Sequence, residues 1–213
     1  MEMDSKLHIG CFNNVVDGWH NTDITPHLWI ARIPLAARVC RAAGLISEPR
    51  FQDHRNGVFR RVHYLNIHKR FPFPDSTFEA ACCSHVLEHI HPRFVGQFFA
   101  EVLRVLRPGA VFSVAVPSLA LAIALYDPDA PEKCLEMIFE NSHRNTKDIH
   151  KWMYTEQSLA AQFRLAGFVE VAPHAYQCGQ LPEIRSIDNR PENSIYVEGR
   201  KPVAPNAARL SGR

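Results

Sequence analysis

The chain has 213 residues, enough for one sizeable domain with a full core. With 46% hydrophobic and 22% charged residues it reads as a soluble globular protein, and a formal net charge of +2 is too mild to point to nucleic acid. No apolar run nears the roughly 20 residues of a membrane helix, and the opening MEMDSKLHIG lacks the basic start, apolar core and cleavage site of a secretory signal. The six cysteines contain no C-x-x-C and several lie in apolar runs, as expected of reduced thiols in a cytoplasmic protein.

The elements follow in order. KLHI reads as a short strand that stops at Gly10 and opens the loop CFNNVVDGW, and HNTDI as a second strand ending at Asp23. Residues 28–46 look helical from about Leu35, with Leu35, Ala36, Val39, Cys40 and Ala43 on one face and Gly44 as a stop. Arg32, Arg38 and Arg41 fall on the polar side, a solvated face. RRVHYLNI is an extended run ending at Asn66 and Ile67, and the prolines of HKRFPFPDST mark a loop. FEAACCS reads as a strand buried on both faces. From Pro92 a helix carries Phe94, Val95, Phe98, Phe99, Val102, Leu103 and Leu106 at spacings of three and four, and Arg107-Pro108-Gly109 ends it. AVFSVAV is another buried strand, closed by Pro117. PEKCLEMIFEN suggests a helix, SHRNTKDIHKWMY a polar loop, and EQSLAAQFRLA a helix capped by Thr155 and stopped at Gly167. FVEVA and SIYVEGR are the last strands. One domain is expected over 1–201, with a disordered tail over 202–213.

Strands alternating with helices predict an α/β fold with a mainly parallel sheet covered by helices. In such sheets ligands bind beyond the carboxyl ends of the strands, at the topological switch point. Those ends hold Gly10, Cys11, Asp23, Asn66, Ile67, Ser84, His85, Pro117 and Ser118.

Read together, GWHNTD (18–23), PFPDSTF (72–78), SHVLEH (84–89), RVLRPG (104–109), HKWMY (150–154) and AGF (166–168) resemble class I S-adenosylmethionine-dependent methyltransferases. The nearest likeness is to the predicted methyltransferases of glycan and cell-surface polysaccharide gene clusters, over about residues 6–200. The resemblance implies a Rossmann-like three-layer sandwich with a seven-stranded sheet whose last strand is antiparallel. It also implies S-adenosyl-L-methionine as cofactor, bound by Gly10, Cys11, Asp23, Asn66, Ile67, Ser84 and His85. In that reading Gly10 and the small Cys11 permit close backbone approach, Asp23 accepts from both ribose hydroxyls unless it only caps a turn, and Asn66 hydrogen-bonds an adenine edge while Ile67 packs on its face. The implied activity is O-methylation of a sugar or glycan-linked acceptor. Two positions depart from the pattern: Asn66 stands where an acid is common, and Phe12 where the first loop carries a second glycine. The asparagines 13 and 14 tolerate left-handed backbone and can supply the turn. Phe12 also keeps open a binding module without turnover.

His85, Glu88 and His89 match the H-x-x-E-H of one zinc-peptidase group. That reading needs a long helix and a distant third ligand, for which Glu101, Glu136 and Glu140 are available without any being singled out. The methyltransferase register instead makes the stretch a strand end with HVLEHI opening the next helix, so no metal is expected. A sugar hydroxyl needs a general base, and His85 and His150 are the candidates. Trp152 and Tyr154 can form a platform for a sugar ring, although His150 also suits a loop that caps a helix. His143, Arg144 and Lys147 are candidates for holding a phosphate on the acceptor, or form a solvated loop.

Overall fold

The computed structural model describes residues 4–139, 149–191 and 193–203. Seven strands form one sheet in the order β3-β2-β1-β4-β5-β7-β6. They are β1 (Lys6–Ile9), β2 (Trp19–Asp23), β3 (His63–Tyr64), β4 (Phe78–Ser84), β5 (Leu106–Pro117), β6 (Val169–His174) and β7 (Ser194–Arg200). Only β7 is antiparallel to its neighbours, β5 and β6; every other pair is parallel. The described helices are α1 (His27–Ile30), α2 (Ala36–Ala42), α3 (Glu48–Arg55), α4 (Pro92–Val105), α5 (Leu119–Ala124), α6 (Glu132–Phe139), α7 (Glu156–Leu165) and α8 (Ile184–Ile187). The expected α/β class and antiparallel last strand are both present.

Alternation along the strands divides the core between two faces. Ala81 and Cys83 of β4 join Phe112, Val114 and Val197 on the face covered by α4 and α7. Here α4 buries Val95, Phe98, Phe99, Val102 and Val105, as its periodicity predicts. The rings of Phe99 and Phe163, 5.0 Å apart, lock α4 to α7. Thr155 caps α7 by accepting from Ser158 N–H at 3.1 Å, completing a capping box.

The other face is built differently. Parallel neighbours ordinarily need a crossover of a dozen or more residues, usually a helix. Residues 10–18 carry the chain from β1 to β2 without one. Trp19, Ala80, Cys82 and Val111 are instead buried by Leu181, Ile184 and Ile187, from the connection between β6 and β7. Polar contacts fasten that cover. Trp19 Nε1 donates to Glu183 at 2.9 Å, Asn14 Nδ2 to the Ile187 carbonyl at 3.3 Å, and the Gln180 and Leu181 N–H groups to the Glu198 carboxylate at 2.7 and 3.1 Å.

Three local expectations are corrected. The run ending at Asn66 is extended over only two residues, because Val58–Arg61 forms a 3-10 turn. The apolar stripe at α2 is not buried: Leu35 and Val39 are 64% and 65% exposed. HVLEHI does not open a helix; Leu87–His89 is a single 3-10 turn and α4 starts at Pro92. His85 has φ +53°, and Val86 is not helical either, so the stretch cannot propagate as an α-helix. Of the expected 202–213 tail only residues 202 and 203 are described, and His143, Arg144 and Lys147 lie outside the described residues.

If the 175–193 connection stands in for the missing crossover helix, Ile187→Ala lowers stability by about 2–5 kcal/mol in denaturant unfolding. Leu45→Ala, at a 75% exposed position, changes it by less than about 0.5 kcal/mol. Equal, small effects would show that the connection is not part of the core.

Candidate cofactor and acceptor site

The sheet order reverses between β1 and β4, and a cavity of about 760 Å³ opens at their carboxyl ends. Every cofactor residue expected from the sequence lines it: Gly10, Cys11, Asp23, Asn66, Ile67, Ser84 and His85. Gly10 has φ +72°, and a Cβ there would collide with the Val86 side chain. A side chain there would be strained in its backbone and would have to displace Val86. Its N–H and that of Cys11 both donate to the Thr22 carbonyl, at 2.8 and 3.0 Å, which ties the loop to β2. Cys11 is buried, and burial pushes its thiol well above the usual range, so it remains a neutral wall.

Asp23 closes the loop. Its Oδ2 accepts from Phe12 N–H at 2.9 Å and its Oδ1 from Thr25 N–H at 2.7 Å. The capping reading is therefore observed. Capping does not by itself contradict the ribose reading, because a carboxylate oxygen can accept more than one hydrogen bond. The turn has not moved onto the asparagines. Phe12 itself takes the left-handed conformation, φ +47°, while Asn13 and Asn14 stay at negative φ. The Phe12 ring packs 5.9 Å from Phe59 and 5.9 Å from His27, with the Arg50 guanidinium 4.7 Å from its centre. Phe12 thus makes this turn at the cost of placing a β-carbon in the left-handed region.

Asn66 Oδ1 accepts from His68 N–H at 3.0 Å, a local turn that turns the amide donor toward other partners. Ile67 packs against the main core beside it. Ser84 ends β4, and His85 follows in the left-handed conformation with its N–H bonded to the Ala115 carbonyl at 2.9 Å. A non-glycine residue held there is strained, a condition that clusters at functional sites. His85 Nε2 lies 2.8 Å from Ser194 Oγ at the start of β7.

His85 is also part of a second cavity, of about 540 Å³, with Lys133, Glu136, His150, Arg190 and Asn193 among its walls. The backbone brings His150 there: Lys151 N–H and Trp152 N–H both donate to the Glu88 carbonyl, at 2.8 and 3.2 Å. The two catalytic candidates therefore meet at one cavity. The aromatic platform does not form as expected. Tyr154 is 2% exposed within the main core, whereas Trp152 is 52% exposed. Sequence reasoning missed Arg190 and Asn193, which sit in a turn-rich connection without periodicity, and Ser194, which begins β7.

A protein-family model described as a methyltransferase domain matches residues 36–114. That span includes Asn66, Ile67, Ser84 and His85 and begins after the Phe12 loop. Among solved structures, a SAM-dependent methyltransferase from Methanosarcina mazei is similar with a TM-score of 0.53 and 18% identity, over 95% of this chain and 94% of that one. Another from Archaeoglobus fulgidus has a TM-score of 0.52 and 14% identity, over 93% and 86%. The fold is that of SAM-dependent methyltransferases. A protein from Bordetella parapertussis described as a possible exported protein shares it at a TM-score of 0.53 and 12% identity, and the chain spans only 63% of that protein's length.

The residues fit S-adenosylmethionine: a glycine with no space for a side chain at the first strand turn, an acid ending β2, an amide beside an isoleucine, and one cavity joining them. The family match and the fold support it as the cofactor.

Two measurements check this geometry. Asp23→Ala weakens binding of the demethylated cofactor by about 1.5–3 kcal/mol in calorimetry, and unchanged affinity would remove Asp23 from the ribose. At Phe12, alanine keeps the left-handed cost that glycine avoids. Phe12→Ala is therefore less stable than Phe12→Gly by about 1 kcal/mol in chemical denaturation, and the reverse order would place the strain elsewhere.

Proposed function

We propose that this chain transfers a methyl group from S-adenosylmethionine to a hydroxyl oxygen of a sugar or glycan-linked acceptor. The observation that carries the reading is the position of His85, which lines both the cofactor cavity and the polar cavity next to it. A polar acceptor suits Lys133, Glu136, Arg190 and Asn193 in that second cavity, and the SHVLEH and HKWMY motifs carry the resemblance to glycan-cluster methyltransferases.

When bound, the cofactor supplies a methyl group already activated by its sulfonium. The chain aligns the acceptor oxygen, excludes water and removes its proton. His85 Nε2, now within hydrogen-bond reach of Ser194 Oγ, takes that proton when an acceptor hydroxyl replaces the serine. His150, 5% exposed and with Nδ1 3.1 Å from the Met137 carbonyl, is a wall of the acceptor cavity rather than the base. The rival reading, a binding module without turnover, rests on Phe12. The loop keeps its left-handed turn there, which leaves that reading little support. The zinc-hydrolase alternative called for a long helix through its motif, and the single 3-10 turn at Leu87–His89 lends it no support.

The test is methyl transfer from labelled cofactor to a panel of sugars and sugar nucleotides. We expect transfer to at least one hydroxyl, with kcat reduced about 10²–10⁴-fold in His85→Ala. Tight cofactor binding with no transfer to any acceptor would favour the binding module. Full activity in the variant would remove His85 as the base.

A further inference from the structure

Glu88 is 1% exposed, and among the described residues neither carboxylate oxygen accepts a hydrogen bond. A buried carboxylate in that state is strongly unfavourable unless a cation meets it. The neighbours do not supply one unaided. Tyr154 and Cys83 stand beside it, and a phenol or a thiol is neutral or anionic, never a cation. His85 Nδ1 stands 3.4 Å from Oε1, an ion pair only when that ring is protonated.

Two imidazoles face the same place. The rings of His89 and His150 are 5.1 Å apart, and one ligand atom from each of Glu88, His89 and His150 lies within 4.8 Å of the other two. His89 Nδ1 lies 3.2 Å from the Ile149 carbonyl and His150 Nδ1 3.1 Å from the Met137 carbonyl. A carbonyl only accepts, so each Nδ1 carries the proton and each Nε2 the lone pair. Ligating histidines are oriented in this way, by a backbone carbonyl behind the ring. The arrangement is rigidly scaffolded as well. Besides the two backbone bonds to the Glu88 carbonyl, Lys151 Nζ donates to the His89 carbonyl at 2.8 Å. Glu88 and His89 open onto the cofactor cavity and His150 onto the second one, which provides an entry path.

We propose that Glu88, His89 and His150 form a binding site for a divalent metal ion of the zinc class. Two imidazoles and one carboxylate suit zinc, and three protein ligands leave a position for water or an acceptor oxygen. Metal–ligand bonds of about 2.0–2.2 Å require the three atoms to draw together by roughly an ångström, within the reach of small side-chain rotations. The site replaces the sequence expectation of no metal. It is also not the peptidase motif: His85 drops out, and the third ligand is a histidine from a remote loop rather than any of the glutamates considered. It does not rest on the methyl-transfer reading, because a chain that binds zinc here and transfers no methyl leaves the site standing.

The experiment is elemental analysis and calorimetric titration of the full chain, stripped with chelator and then given Zn²⁺, with Mg²⁺ as the comparison. About one zinc per chain is expected, with affinity reduced on the order of 100-fold or more in both Glu88→Gln and His150→Ala and unchanged in His91→Ala. Should either variant fail to fold, Co²⁺ added to the wild-type chain gives a second readout. Its visible absorption is expected to appear and to vanish on adding one equivalent of zinc. No stoichiometric zinc and no cobalt spectrum would overturn the site, as would undiminished binding in a folded Glu88→Gln or His150→Ala.

Discussion

Residues 10–18 must carry the chain from the end of β1 to the start of its parallel neighbour without a helix, and much of the molecule follows from that constraint. So short a path turns at once, which puts Gly10 and Phe12 in the left-handed region and leaves the Asp23 carboxylate to hold the loop shut. It also leaves one face of the sheet uncovered. The connection between β6 and β7 fills that gap with Leu181, Ile184 and Ile187. In crossing the sheet it delivers Arg190, Asn193 and Ser194 to the rim of the site. One shortened crossover thus shapes both the cofactor loop and the wall against which His85 is placed.

What was legible in the sequence was whatever burial makes periodic. FEAACCS and AVFSVAV announce themselves as strands enclosed on both faces, and the α4 stripe from Val95 to Val105 is buried as its spacing requires. The strand-end residues followed, because parallel topology alone places Gly10, Asp23 and Ser84 at one edge. Less was legible where side-chain contacts override local pattern. The α2 stripe looks amphipathic yet buries no residue, and four-residue α8 is too short to show a period. Phe12 carried no signal that a bulky residue would keep a glycine's backbone, since what holds it there is a carboxylate at the end of β2 and a guanidinium from α3.

The SHVLEH stretch shows why spacing and geometry must be separated. Its residues have the interval of a helical metal motif, but with His85 left-handed and Leu87–His89 a single turn they do not line one helix face, although His85 Nδ1 still stands 3.4 Å from Glu88 Oε1. His85 turns toward Ser194 and the boundary between the cavities, while Glu88 and His89 turn toward the 149–154 segment. One short run therefore serves two neighbouring sites, and no linear reading of it separates them.

The account stands on the cofactor occupying the edge between β1 and β4, and the structure of the chain with S-adenosylhomocysteine bound tests that most directly. The expected complex has both ribose hydroxyls on Asp23, the adenine between Asn66 and Ile67, and the homocysteine end passing Gly10 toward Ser84 and His85. A nucleoside seated anywhere else, or no complex at saturating ligand, would contradict it.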